Sequence, residues 1–208
     1  MDGVFMFKLW KKVGFLVLAF SLAWCVGVIR DRADLGDKLI RLHVVANSDS
    51  ETDQAVKLQV RDAVMAFLSN ADLQDPQSAK AYLQENLPSI QKIANQTLKD
   101  AGQMATAAVT LCKESFDVRH YDNFSLPAGV YEALRITIGE GEGRNWWCVV
   151  FPSLCYSAAG ETFEDVAVGA GFSQELTSSL EGKDPIEIRF FLLDWLGKLE
   201  NMLFDGGN

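Results

Sequence analysis

The groups in this 208-residue chain able to cross-link, ligate a metal or cleave a bond are four cysteines, two histidines and a scatter of carboxylates. Cys148 and Cys155 have the most informative spacing, bracketing Val149-Val150-Phe151-Pro152-Ser153-Leu154. If the chain reverses at Phe151-Pro152, the two become cross-strand neighbours with Cα atoms about 4.5–5.5 Å apart. That separation suits a disulfide, and so short a loop would add roughly 2.5 kcal/mol. The alternative is a pair of buried free thiols in an apolar strand, a common place for cysteine. Six intervening residues and no nearby histidine do not match zinc spacings, nor is the pair a Cys-x-x-Cys redox motif. Cys25 falls in an apolar N-terminal run, which leaves Cys112 as the unpaired thiol.

Other candidate chemistry has plainer explanations. Asn47, Asp49, Glu51 and Asp53 place oxygen donors at alternate positions, as a calcium loop does. The glycine of that loop is missing and Leu58 stands where its bidentate acid belongs, so these residues are read as a helix start. Ser48 and Glu51 have capping-box spacing. His43 and His120 are far apart in sequence, and His43 is read as a hydrogen-bonded, half-buried strand residue. The alternative is an extracytoplasmic cell-envelope hydrolase, using Glu140 or Glu142 with Asp49, or a wall-binding protein, but nothing fixes two carboxylates at a catalytic separation. Gly139-x-Gly141-x-Gly143 lacks the Lys-Ser/Thr of a phosphate loop. No catalytic residue, metal or cofactor is expected. What remains is a surface: Arg144, Asn145, Trp146 and Trp147 follow the glycine turn, and Trp and Arg are favoured interface anchors. Adjacent strand residues point to opposite faces, so at most one tryptophan need be core.

These residues are carried by an exported body. Lys8, Lys11 and Lys12 precede an uncharged, mostly apolar run from Val13 to Ile29, closed by Arg30 and Asp31. That is the pattern of an export signal, and seventeen residues also reach the lower limit of a membrane span. Either a cleaved signal or a retained anchor fits, and Ala23-Trp24-Cys25 is a poor cleavage or lipidation motif. The positive flank stays in the cytoplasm, placing residues beyond Arg30 outside. Four of the 19 Lys+Arg and one of the 28 Asp+Glu precede Asp31, so the body carries a net charge of −12. That balance argues against nucleic acid and against adsorption on anionic lipid.

The division expected is residues 1–30 as signal or anchor, 31–38 as linker, 39–204 as one domain and 205–208 as a frayed tail. Leu39–Ala46 reads as the first strand and Ser48–Ser69 as a helix with Val56, Val60, Val64 and Phe67 inward. A second helix opens at Asp75-Pro76, Pro88 breaks it, and a third ends at Gly102. Period-two alternation from Met104 to Cys112, strands over 116–124 and 130–138, and the aromatic stretch 145–151 give a meander of antiparallel neighbours. Residues 158–183 read as a flexible loop, Ile186–Phe190 as a strand and 192–199 as a helix. The fold class is therefore α+β: a mostly antiparallel sheet, a layer of about three helices after the first strand, a C-terminal strand–helix and an N-terminal signal or transmembrane helix.

Two segments carry a family resemblance. One is Arg41-Leu42-His43-Val44-Val45-Ala46-Asn47-Ser48-Asp49-Ser50-Glu51-Thr52-Asp53-Gln54 with Leu58–Val64; the other runs from Leu126-Pro127-Ala128-Gly129 through Asn145-Trp146-Trp147-Cys148 to Leu154-Cys155. Over residues 39–156 the chain resembles stage II sporulation protein R of endospore-forming bacteria. The resemblance implies a protein made in the forespore and exported into the space between forespore and mother cell. There it would engage the outward region of a membrane-embedded aspartic protease, which then removes the pro-sequence of sigma-E. By that resemblance the chain is a signal rather than an enzyme, and its partners are that protease and the export machinery. Cys112 and the ill-defined stretch after Tyr156 depart from the family pattern.

Overall fold

The computed structural model describes residues 2–71, 73–154, 162–183 and 188–206. Helix α1 (Asp2–Lys38) opens the chain. Its apolar run projects outward: Phe15 and Phe20 are at least 70% exposed, whereas Val28 and Leu35, two turns apart, are buried. Residues 31–38, expected as a linker, are thus the last turns of α1, held to the body by an inward apolar stripe. Asp31 accepts from Arg189 at 2.8 Å, and Arg32 pairs with Glu200.

Strands β1 (Ile40–Val45), β2 (Ala107–Phe116), β5 (Gly129–Ile138) and β6 (Asn145–Phe151) form one sheet in the order β2–β5–β1–β6. Two of its three pairings are antiparallel, and β1 with β5 is parallel. The α+β class and mostly antiparallel sheet hold, but β5 and β6 are not neighbours as the short connection implied. β1 lies between them, with Leu42 opposite both Leu134 and Cys148. All of β1 is buried, which is what a central strand covered on both faces requires.

Helices α2 (Glu51–Leu68) and α3 (Pro76–Asp100) cover one face, where Val60, Val64, Leu83 and Ile90 pack on Leu42, Val44, Leu134 and Ile136. Only two helices are inserted here, because Pro88 does not break α3. Proline removes one backbone donor and costs about 3 kcal/mol in a helix interior. Pro88 faces solvent, where the freed carbonyl can be hydrated. The buried residues Ala79, Leu83, Ile90, Ala94 and Leu98 keep helical phase across it, so packing along the whole stripe offsets the lost bond.

The opposite face is covered by the end of α1 and by α4 (Phe163–Gly169), α5 (Gln174–Leu180) and α6 (Ile188–Asp205). Leu35, Phe163, Leu176 and Leu193 meet Phe116, Tyr131 and Val149 there. The stretch read as a flexible loop therefore contains two short helices. Each has a cap: Thr162 and Asp165 form a capping box, and Ser173 accepts from the Leu176 amide. Residues 116–124 are not a strand: β2 ends at Phe116, and β3 (Arg119–His120) pairs with β4 (Ser125–Leu126) in a minimal hairpin. Of the expected C-terminal strand, Ile186 and Glu187 lie outside the described residues, while Ile188, Arg189 and Phe190 form the first turn of α6. Three alternating positions fit either period; burial of Leu193 and Gly197 on one side sets the helical one.

Candidate functional site

The site is built where the two family-like segments meet, at the end of β1 distal to α1. β1 ends at Val45 and the chain turns into α2 through Ala46–Ser50; β5 ends at Ile138 and returns to β6 through residues 139–144. With β1 between β5 and β6, the 139–144 turn must pass over the end of β1, directly against the α2 cap. Four hydrogen bonds tie the loops: Glu142 N to Asn47 O (3.2 Å), Gly143 N to Ala46 O (2.9 Å), Glu140 N to Asn47 Oδ1 (3.1 Å) and Arg144 N to Asp49 Oδ1 (2.7 Å). The Lys57 ammonium adds a fifth, to Arg144 O at 2.9 Å. Two of the glycines explain themselves. Gly139 has φ +56° and packs on Asn47, and a Cβ at Gly143 would strike the Ser48 carbonyl and come within 2.9 Å of Ala46 Cβ.

The calcium-like alternation is a cap. Ser50, not Ser48, is the N-cap, accepting from the Asp53 amide at 3.1 Å; Ser48 instead donates to Asp53 Oδ2 at 2.6 Å, and Asn47 does so at 2.8 Å. The Ser48 and Asn47 hydrogen bonds hold the Asp53 carboxyl below the usual range. A depressed carboxyl stabilises the fold above its unfolded value near 3.9, and the contribution is lost as pH falls through the folded value. Asp53→Asn should therefore melt lower than the parent at pH 7 and lose less stability on acidification. Melting curves from pH 7 to 3 with the same acid slope for both proteins would contradict this assignment.

The adjacent tryptophans separate to opposite faces. Trp146 is 38% exposed and lies on the α2 side, with the Arg61 guanidinium 4.2 Å above its ring. Trp147 turns inward, stacked on His43 at 3.7 Å between centroids, with Phe116 edge-on at 4.9 Å. Of the four residues expected at a contact, Arg144, Asn145 and Trp146 are exposed, while Trp147 holds the strand to the core. Arg61 completes the outer surface. It falls in the family-like Leu58–Val64 segment, but its helical position alone did not set it opposite Trp146.

Beside Trp146, a groove of about 540 Å³ runs between α2 and the 119–126 hairpin, with Arg61, Met65, Tyr121 and Phe124 among its walls. On the face of the sheet opposite Trp146 lies a polar network. His43 Nδ1 is 2.9 Å from Glu114 Oε2, and Arg135 donates to Glu114 Oε1 at 2.8 Å. His43 is hydrogen-bonded as expected, and more deeply buried. Arg41 is fully buried: its guanidinium lies 4.0 Å from the Phe116 ring and donates to Tyr121 Oη at 3.1 Å. Burial pushes its pKa down. Burial also lowers the Lys57 ammonium, and the nearby Arg144 adds to the effect.

Cys148 is buried on β6, while Cys25 and Cys112 are free thiols. Cys155 lies outside the described residues, so its pairing with Cys148 is taken up below as a proposal. Burial raises the Cys112 thiol. Among the described residues no three His, Cys, Asp or Glu side chains gather as a metal site.

A family profile described as stage II sporulation protein R matches residues 36–161. The stage II sporulation protein R of Bacillus subtilis (strain 168) is 34% identical over 184 residues, covering 78% of this chain and 82% of that relative. No solved structure matches the chain. The matched region contains both loops of the site, and the kinship assigns the chain a sporulation role: it belongs to the stage II sporulation protein R family.

Proposed function

We propose that the chain is a sporulation messenger exported from the forespore, and that it switches on the mother cell's membrane-embedded aspartic protease that processes pro-sigma-E. The observation supporting this most is the combination of an apolar N-terminal helix, of signal or anchor type, with a body whose family-like loops interlock to present Arg144, Asn145 and Trp146. A locked loop loses little conformational freedom on binding, which favours recognition of shape. In this reading the chain has no catalytic residue and needs no cofactor. The outward region of the protease binds the Arg144–Trp146 edge and shifts towards its active state.

The test is complementation. Expressed in the forespore of a strain lacking its own copy of this family, the chain should restore pro-sigma-E cleavage. A well-exported chain that leaves pro-sigma-E uncleaved would overturn the proposal, as would release of peptidoglycan fragments by the purified protein. We also propose that Cys148 pairs with Cys155 outside the cytosol. Peptide mapping of the exported, non-reduced protein should yield one cross-linked peptide containing both, and two alkylated thiols there would refute the pairing.

A further inference from the structure

Helix α6 is apolar on two opposite sides. Its inner side, with Leu193 and Gly197, packs on the sheet and is buried. Its outer side carries Ile188, Phe191, Trp195, Met202 and Leu203, each 50–74% exposed. Their spacing of three, four, seven and one residues keeps all five within a single stripe of the helix. Single exposed apolar residues are ordinary, but a continuous stripe of this kind marks an interaction surface.

The position of α6 indicates what covers the stripe. Arg189, in its first turn, pairs with Asp31 at 2.8 Å, and its guanidinium lies 3.7 Å from the site a Cβ would take on Gly27. Gly27 and Asp31 bracket the exit of the apolar run of α1, whose last outward residues are Trp24, Val26 and Ile29. Farther along α6, Glu200 pairs with Arg32, one residue on from Asp31. Eleven residues of α6 thus span one residue step of α1; eleven residues are about 16 Å of helix against about 1.5 Å. Two helices pinned in this way cross steeply, so a helix that enters a bilayer along its normal sets α6 across that direction, level with the exit.

We propose that α6 rests on the outer surface of the membrane that α1 enters, with Ile188, Phe191, Trp195, Met202 and Leu203 in its interfacial layer. This rests on reading the apolar run of α1 as membrane-embedded. Tryptophan is favoured at that depth, and burial of an apolar helix face is the driving force of interfacial helices. Lys198, which borders the stripe and is paired to Asp194, reaches water by extending its stem. Because the stripe is uncharged apart from that border, the seat does not depend on anionic lipid, in keeping with the acidic body. Its consequence is orientation: a chain held at two places cannot swivel about α1, and the site at the far end of β1 is presented away from the forespore membrane.

The experiment uses the full chain in phosphatidylcholine vesicles, with Cys25→Ser and Cys112→Ser. A single environment-sensitive fluorophore is placed under non-reducing conditions through Phe191→Cys, Trp195→Cys, Leu16→Cys or Gln96→Cys. Binding to the vesicles should shift the 191 and 195 labels to the blue, and lipids carrying a quencher near the headgroup should remove their emission, leaving the 96 label on α3 unchanged. The 16 label should be quenched by lipids modified near the chain end. Quenching at 16 with the 191 and 195 labels behaving like 96 would overturn the seat of α6 alone. No quenching at 16 would overturn the membrane-embedded reading beneath it. Protection at 191 and 195 that grows with protein-to-lipid ratio rather than with quencher depth would assign the stripe to a second copy and likewise overturn the proposal.

Discussion

Gly143→Ala is expected to unlock the loop junction and abolish signalling in one step. The added methyl meets the Ser48 carbonyl and lies 2.9 Å from Ala46 Cβ, both on the segment that caps α2. Neither is the far end of a flexible side chain, so the turn itself must move. Overpacking of this kind costs roughly 1–3 kcal/mol, and the movement also removes the Gly143–Ala46 and Arg144–Asp49 hydrogen bonds. In a protein of this size each kcal/mol lowers the melting midpoint by about 2–4 °C. Thermal unfolding of the purified variant should show that fall, and pro-sigma-E should accumulate in cells that export it. An unchanged midpoint would mean the two loops do not touch as described.

The second large effect separates contact from folding. Arg144→Ala combined with Trp146→Ala removes two exposed side chains whose links to the rest of the fold are superficial. Arg144 Nε is 3.5 Å from Asp49 in an exposed pair, worth under about 1 kcal/mol. The backbone bonds of residue 144 to Asp49 and Lys57 survive truncation. Loss of the Arg61–Trp146 contact adds about 0.5–1 kcal/mol, so stability should fall only modestly. Interface anchors of these types cost about 2 kcal/mol each when truncated, so binding should weaken on the order of a hundredfold or more. An exported, folded double variant should leave pro-sigma-E uncut. Normal processing by that protein would remove this turn from the contact surface. Trp147→Ala is a different case: its ring stacks on His43 and meets Phe116 edge-on, so it should lose stability as well as signal.

Sequence and structure agree where local patterning is strong and part where tertiary context decides. Elements whose apolar period is strong were legible: β1, α2, β5, β6 and the opposite facing of Trp146 and Trp147. The parallel pairing of β1 with β5 was not. Side-chain period tells which face a residue takes but not which strand lies beside it. The two charged or polar residues Arg41 and His43 also disguise β1 as a one-sided strand, yet both are buried, one in an aromatic cage and the other on Glu114. Pro88 misleads because local backbone chemistry is outweighed by the stripe that continues past it. The helices α4 and α5 escape notice because each is only seven residues long, too short for a period to emerge. Their signals are the caps Thr162 and Ser173. Arg61 was missed for another reason: only the fold brings α2 alongside β6.

The site gives the glycine turn a task that its composition concealed. It is a clasp, closed on the α2 cap by backbone hydrogen bonds, and it sets Arg144 and Trp146 at a fixed angle beside the groove. Asp53, Ser48 and Asn47 brace the other half of that clasp. Under the proposed function, the signal is the geometry of this rigid edge, delivered on the far side of a membrane.

Blocking passage through that membrane tests this most directly. Leu16→Asp with Leu18→Asp places two charges in the apolar run of α1 without touching the folded body, since both side chains are exposed and remote from it. With the variant made in the forespore as the sole copy, the body is expected to stay in the forespore interior with Cys148 and Cys155 reduced, and pro-sigma-E to remain uncleaved. Cleavage at the parental rate, with the body still inside and its thiols free, would contradict the account.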